Sequence, residues 1–272
     1  MGQPTVWKHV AQSLQGPSHA ADGSVCQDSH LVKLIDNNSQ QTIIACAADG
    51  AGSAKRSDLG SAIACETITE NAERYLAAHN NFDHLQRNKI IAWCEAAREK
   101  IRHKADEHQL KLRDLATTLC VAILTPQGSV FFQIGDGAIT VGNNGVYGVV
   151  FWPQSGEYAN VTNFITSDNY QDHIEFQATS RKFADLALFT DGLERLALDF
   201  ESQTPHLPFF QPLFQAVRKS QTGSNLGNDL ALFLQSDSVK NRSDDDKTLI
   251  LATQLAERSH TSKSAGGKNA AD

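Results

Sequence analysis

The chain has no Cys-x-x-Cys pair, no long apolar run and a deficit of positive charge, and each shortage excludes something. Its five cysteines, Cys26, Cys46, Cys65, Cys94 and Cys120, are odd in number and scattered. Neither a disulfide framework nor a zinc knuckle is expected, and a reducing compartment fits better. Cys46, Cys65 and Cys120 sit inside apolar runs, where a thiol packs as a small hydrophobe. The opening residues contain no stretch long enough for a signal peptide or an anchor, so a cytoplasmic chain without a membrane partner is expected. With 24 Lys and Arg against 31 Asp and Glu, the formal charge is −7. That argues against nucleic acid as a partner, because phosphate backbones attract basic surfaces. No Gly-x-Gly-x-x-Gly segment follows a strand, so dinucleotide binding has no support.

What is present reads as one globular unit. At 272 residues, 40% hydrophobic and 20% charged, the chain can bury a substantial core. Residues 1–256 are read as a single domain, and 257–272, small and polar, as a disordered tail. Residues 1–30 read as polar and turn-rich. Strands are expected at 31–36, 42–48, 117–125, 129–135, 138–142, 145–152, 185–190 and 247–253. A long helical hairpin is expected over Ser53–His79 and Phe82–Leu112, with two further helices near 208–219 and 226–235. Phe209, Phe210 and Phe214 read as core. Strands joined by hairpin turns, with helices inserted in pairs, indicate an α+β domain with antiparallel sheets inside and helical pairs outside.

One pattern recurs: an apolar strand ending in Asp-Gly, at Asp49-Gly50, Asp136-Gly137 and Asp191-Gly192. The run Asp244-Asp245-Asp246 precedes the last strand. A single Asp-Gly is ordinary turn chemistry, and Asp22-Gly23, with no strand before it, is read that way. Strands of one sheet bring their ends to common edges, so the repeated acids can converge. Gathered carboxylates repel unless a cation neutralises them, and hard oxygen ligands in such number select Mg²⁺ or Mn²⁺ over zinc.

The motifs resemble, in order, those of the PPM (type 2C) metal-dependent protein phosphatases in a compact bacterial form. Cys26-Gln27-Asp28-Ser29 resembles the early acidic motif, and Ala48–Ser53 the Asp-Gly-x-Gly-Gly metal loop. Ala116–Leu119 resembles the Gly-Thr-Thr strand, and Gly135-Asp136-Gly137 the Gly-Asp-Ser turn. Thr190–Leu193 resembles the Ser/Thr-Asp-Gly-Leu segment, and Asp245–Thr248 the closing Asp-Asp/Asn-x-Thr.

The resemblance implies a four-layer α-β-β-α sandwich with two central antiparallel sheets flanked by helical pairs. It implies a phosphoprotein phosphatase acting on phosphoserine and phosphothreonine, with phosphotyrosine also in view, and opposing a protein kinase. Asp49 would bridge two Mn²⁺ or Mg²⁺ ions with the Gly50 carbonyl in one shell. Asp191 and Asp245 would complete the metal face, and Asp136 would serve a weaker third site. Asp28 would act through water, with Gln27 beside it. A water bridging the two cations would lose its proton and attack phosphorus in line. No cysteine begins a Cys-x5-Arg loop, so thiol chemistry is unsupported.

Two departures stand out. Many relatives place a proton-donating His after the first Asp-Gly, where this chain has Ala51. Relatives also carry an Arg before the early acidic motif. Here His19 is the nearest candidate for holding phosphate, against a reading as an ordinary surface or structural His, with Lys55 and Arg56 as runners-up. The stretch 152–177 reads either as an active-site flap or as a solvated loop. An inactive binding module on the same fold, or a hydrolase of small phosphorylated metabolites, are the competing readings.

Overall fold

The computed structural model describes residues 5–37, 40–154, 162–221 and 225–256. The tail at 257–272, and the centre of the flap segment at 155–161, lie outside the described residues.

The chain opens with β1 (Thr5–Leu14) and a short helix α1 (Pro17–Asp22), where the sequence suggested only turns. β1 was hidden because it splits a thin apolar content between two faces. Trp7 and Ala11 pack into one hydrophobic cluster, while Val10 and Leu14 pack into another. β2 (Ser29–Asn37) and β3 (Gln40–Ala48) then pair as an antiparallel hairpin. The helical pair α2 (Ser57–His79) and α3 (Arg87–Glu107) follows, each shorter than its apolar pattern suggests. Asn80 stops α2 by entering the left-handed region, at φ 59°, with its N–H on the Leu76 carbonyl.

Next come β4 (Leu119–Leu124), β5 (Ser129–Ile134), β6 (Ala138–Asn143) and β7 (Val146–Val149). β8 (Glu175–Thr179) pairs with β5, so the C-terminal part of the stretch read as flap or loop is an edge strand. β9 (Asp185–Phe189), α4 (Glu194–Ala197) and the small pair β10 (Leu198–Asp199) and β11 (Thr204–Pro205) come before the last helices. These are α5 (Leu207–Lys219), α6 (Leu226–Leu234) and α7 (Asp237–Lys240), and β12 (Lys247–Ala256) closes the fold.

All strands but β10 and β11 belong to one 10-stranded sheet, ordered β7-β6-β9-β12-β1-β3-β4-β5-β8, with β2 on the free side of β3. The ladders are antiparallel except for one parallel pair, Thr5 with Gln40, which links β1 to β3. The two central sheets expected from the sequence are therefore joined into one large curled sheet.

Alternation along the inner strands explains their unbroken apolar runs. In β3 and β4, Ile44, Cys46, Leu119 and Val121 face α2 and α3. In β9 and β12, Ala187, Phe189, Leu249 and Leu251 face Phe209, Phe210 and Phe214 of α5. The intervening residues, Ile43, Ala45, Cys120, Leu186, Leu188 and Ile250, meet one another in a third cluster between the two halves of the sheet. Strands covered on both faces read as near-continuous apolar runs. Among the described residues, no helix is long and apolar enough to cross a membrane.

Candidate active site

Antiparallel pairing dictates where the acids go. β3 and β5 flank β4, with Ala47 opposite Cys120 and Ile134 opposite Leu119, so their ends both lie beside the start of β4. β9 flanks β12 with Phe189 opposite Leu249, so its end lies beside the start of β12. Asp49, Asp136 and Asp191 leave the ends of β3, β5 and β9, and Asp245 precedes β12. The curl of the sheet closes the two groups on each other. Carboxylate oxygens of Asp49, Asp136 and Asp191 lie within 4.8 Å of one another. With Asp245 they line a cavity of about 350 Å³, walled also by Ala51, Gly52, Ser53, Thr162 and Phe164.

The backbone around Asp49 is tied down from β4. Thr118 N–H donates to the Asp49 carbonyl at 2.8 Å, and the Thr118 hydroxyl accepts the Asp49 N–H at 2.9 Å. Thr117 Oγ1 donates to the same carbonyl at 3.0 Å. Glycine permits the tight contact of three segments at this end of the sheet. A Cβ at Gly16 would lie 2.2 Å from the Asp245 carbonyl carbon, and one at Gly192 would lie 2.0 Å from the Asp246 carbonyl oxygen.

Electrostatics show a cluster held against its own repulsion. Burial first, then the charges of Asp28 and Asp191, push the Asp49 carboxyl well above the usual range. Burial and the neighbouring Asp136, Asp245 and Asp28 raise Asp191 to about 8. Burial raises Asp136 as well, and its Oδ2 accepts from Thr162 Oγ1 at 2.7 Å while Oδ1 has no partner. Such groups take up protons unless a cation is present to hold them ionised.

Asp28 is buried behind the cluster, raised to about 6 by burial against the opposing hydrogen bond from Thr190. Its Oδ2 accepts from Thr190 Oγ1, and its Oδ1 is without a partner. Gln27 serves the backbone rather than the carboxylates. The amide orientation that satisfies its surroundings places nitrogen 3.2 Å from the Gly50 carbonyl and 3.3 Å from that of Ala51. Gly50 is buried and pairs with Thr117 as an isolated bridge; it does not itself line the cavity.

His19 also sits at this end of the sheet, but its nearest acid is Asp246, 2.9 Å from Nδ1. Burial alone would lower the imidazole, yet the hydrogen bond and charge of Asp246 outweigh it and raise the group. Its Nε2 faces the loop after β3 at Gly52. Arg56 is occupied by Asp58 in a two-point contact of 2.9 Å each, which leaves it poorly placed as a phosphate ligand.

Four contributors were not read from the sequence. Asp246 is buried and accepts N–H groups from Gly16 at 2.7 Å and Gln27 at 2.6 Å, fixing the early acidic motif to the start of β12. Its sequence signals were its place in the acidic run and in the closing Asp-Asp/Asn-x-Thr motif, neither of which gave it a role of its own. Glu194 lies close enough to Asp136 for its charge, after burial, to raise the carboxyl to about 8, and its Oε1 has no partner. Its signal was its position three after Asp191. Thr162 and Phe164 come from the stretch 152–177, which the sequence offered as an active-site flap or a solvated loop without singling out either residue. All five cysteines are free, and burial raises Cys46 and Cys94 to about 12, which leaves them unreactive.

Comparison with known proteins gives the lineage and the fold. Residues 15–235 match the sequence profile of the family described as Protein phosphatase 2C. Serine/threonine-protein phosphatase 3 of Escherichia coli K12 is 34% identical over 251 residues, covering 90% of this chain and 98% of that protein. A bacterial serine phosphatase crystal structure superposes with a TM-score of 0.62 at 16% identity, over 94% of this chain and all, 100%, of the other. The catalytic domain of the serine threonine protein phosphatase PstP, solved with 2 manganese ions, gives a TM-score of 0.62 at 13% identity, over 92% and 99%. The two structural likenesses carry the mixed α+β fold, and the first two matches carry the lineage. A chain whose strand-end acids meet in one cavity, and whose sequence follows this profile through most of its length, belongs to the protein phosphatase 2C family.

Proposed function

We propose that the chain is a metal-dependent protein phosphatase that hydrolyses phosphoserine and phosphothreonine, with Asp49, Asp191 and Asp245 holding two Mn²⁺ or Mg²⁺ ions and Asp136 serving a weaker third site. The observation that carries this reading is the meeting of these four acids, from four separate strand ends, around one cavity. The donor set fits the ions: it is all carboxylate oxygen, and the partnerless Oδ1 of Asp136 and Oδ1 of Asp28 are buried without a protein donor. When bound, the cations would acidify a water and offset charge on the phosphoryl oxygens.

The chain's own residues supply position. Thr117 and Thr118 fix Asp49, Thr162 fixes Asp136, and Thr190 fixes Asp28. In this reading Gln27 sets the carbonyls of Gly50 and Ala51, so that Gly50 can complete a metal shell. His19, held at the end of the sheet beside Asp246, offers Nε2 to the substrate phosphate. Every titratable residue lining the cavity, among the described residues, is an aspartate, so the leaving oxygen has no obvious side-chain donor.

The reading extends to architecture and setting. Helices α2 and α3, the two halves of the sheet, and α5 with α6 form four layers, in one domain over residues 1–256. Five free thiols suit a reducing cytoplasm, and a phosphoprotein substrate implies a protein kinase as the opposing enzyme.

Hydrolysis of p-nitrophenyl phosphate tests the proposal. Turnover should require Mn²⁺, vanish in EDTA and fall by about 10²-fold or more in Asp49→Asn. Activity that survives both treatments would overturn it.

A further inference from the structure

The helix that follows Asp191 has two sides with different chemistry. Glu194 belongs to the acid cluster, whereas Arg195 opens onto a separate groove of about 410 Å³ between α4, α5, α6 and α7. Phe209, Leu213 and Phe233 form its floor, and Arg195, His206 and Arg242 stand exposed on its rim. Among the described residues lining it none is acidic, in a chain whose formal charge is −7. No carboxylate pairs with Arg195 or Arg242 within salt-bridge range among the described residues. The local sign of charge is thus the reverse of the whole molecule, and it borders apolar surface left open to solvent.

We propose that this groove docks an acidic peptide segment with bulky apolar side chains, carried by the phosphoprotein substrate beside its phosphorylated residue. The inference rests on the phosphatase reading for the source of the peptide, but not for its chemistry. Apolar side chains fill the pocket between Phe209, Leu213 and Phe233, and neighbouring carboxylates meet the two guanidiniums, which favour planar, two-point contact with such groups. Arg195 lies four residues beyond Asp191, through a 3-10 turn into α4, about 7 Å along the chain. Docking of this kind raises the effective concentration of the phosphorylated residue at the acids without touching the chemistry. It also selects against basic substrates, which the rim repels.

The test uses a fluorescein-labelled, unphosphorylated peptide alternating Asp or Glu with Leu or Phe, and a counterpart with Lys in place of each acid. Binding to the full chain is read by anisotropy with Mn²⁺ and again in EDTA. The acidic peptide should bind in both conditions, with the Lys peptide weaker by about tenfold or more. Arg242→Glu and Leu213→Glu should each weaken the acidic peptide by about tenfold, while p-nitrophenyl phosphate turnover stays within about twofold of the parent. A phosphothreonine peptide bearing the acidic–apolar extension should show a raised KM and unchanged kcat in both variants. Equal binding of the two peptides, binding insensitive to both variants, or binding that disappears in EDTA would overturn the proposal. A dimer in solution that either variant dissolves would assign the groove to a second copy and overturn it too. Absence of p-nitrophenyl phosphate turnover by the parent chain even with Mn²⁺, with peptide binding intact, would instead refute the phosphatase reading alone.

Discussion

Thr190 donates its hydroxyl to Asp28 Oδ2 at 2.8 Å, across 162 residues of chain. The Thr248 N–H donates to Thr190 Oγ1 at 2.9 Å, so the hydroxyl accepts from β12 while its own proton goes to the carboxylate. Thr248 Oγ1 in turn meets Ser13 Oγ at 2.6 Å, so three strand ends share one polar chain behind the acids. Groups that orient a metal-site carboxylate typically matter by about 10–100-fold. Thr190→Val should lower Mn²⁺ affinity or kcat/KM by about that factor, while Thr190→Ser stays close to the parent. A Mn²⁺ titration of activity checks it, and a Thr190→Val variant indistinguishable from the parent would exclude the positioning role.

Asp191 carries a stability cost whose sign can be read from its titration. Burial and its acidic neighbours raise the folded-state group to about 8, against about 3.9 in an unfolded chain. Between those values the folded state holds more protons than the unfolded one, so this contribution to stability falls as pH rises through the window. Asp191→Asn should therefore raise the Tm of the metal-free protein at pH 8 and leave it nearly unchanged near pH 3.5. Each 1 kcal/mol relieved is worth about 2–4 °C in a chain of this size. Excess Mn²⁺ should reverse the order, stabilising the parent by about 2.7 kcal/mol at a hundredfold excess over Kd. Equal Tm values in EDTA at both pH values would show that the acids are not in conflict.

Arg98 is buried on α3 and donates through Nη1 to the carbonyls of Ile165 at 2.6 Å and Ser167 at 2.7 Å. Its guanidinium also lies 4.4 Å from the Tyr170 ring centroid. The segment it clamps carries Phe164 into the cavity wall and Thr162 onto Asp136. Arg98→Met leaves both carbonyls without their donor, so a loss of about 2–4 kcal/mol is expected in urea unfolding, with KM for p-nitrophenyl phosphate raised. Lysine cannot reproduce the planar fork, so Arg98→Lys should recover only part of the loss. A change in ΔG below about 0.5 kcal/mol in Arg98→Met would refute the clamp.

The sequence disclosed the acids more readily than the groups that hold them. Asp49, Asp136, Asp191 and Asp245 were legible because each interrupts the boundary of an apolar strand, and such strands share edges. β1 was not, because its few apolar residues serve two opposite clusters and leave no run on either face. Asp246 differs from Asp244 and Asp245 only by the fold that buries it against Gly16 and Gln27. The joining of the sheet through Thr5 and Gln40 depends on a single residue pair, which no local pattern can specify. Thr190 and Arg98 act through long-range partners, and residue type alone does not reveal a partner.

Ala51 lines the cavity with its N–H held by the Ala116 carbonyl at 2.9 Å, and it stands where the sequence resemblance implies a proton-donating His. A general acid in such a place contributes about 10²–10⁴-fold when the leaving group is poor. An alkoxide from serine or threonine is a poor leaving group, whereas a phenol with pKa near ~10 departs more readily unaided. The wild-type chain should accordingly lose less on phosphotyrosine than on phosphothreonine in matched peptides. Ala51→His should raise kcat/KM for phosphothreonine by about tenfold more than for phosphotyrosine. Because the imidazole must be protonated to act, the activity gained over the parent should decline as pH rises past about 6.5. An unchanged substrate ratio in Ala51→His would mean that protonation of the leaving oxygen is supplied from elsewhere, and that the missing histidine does not set the preference.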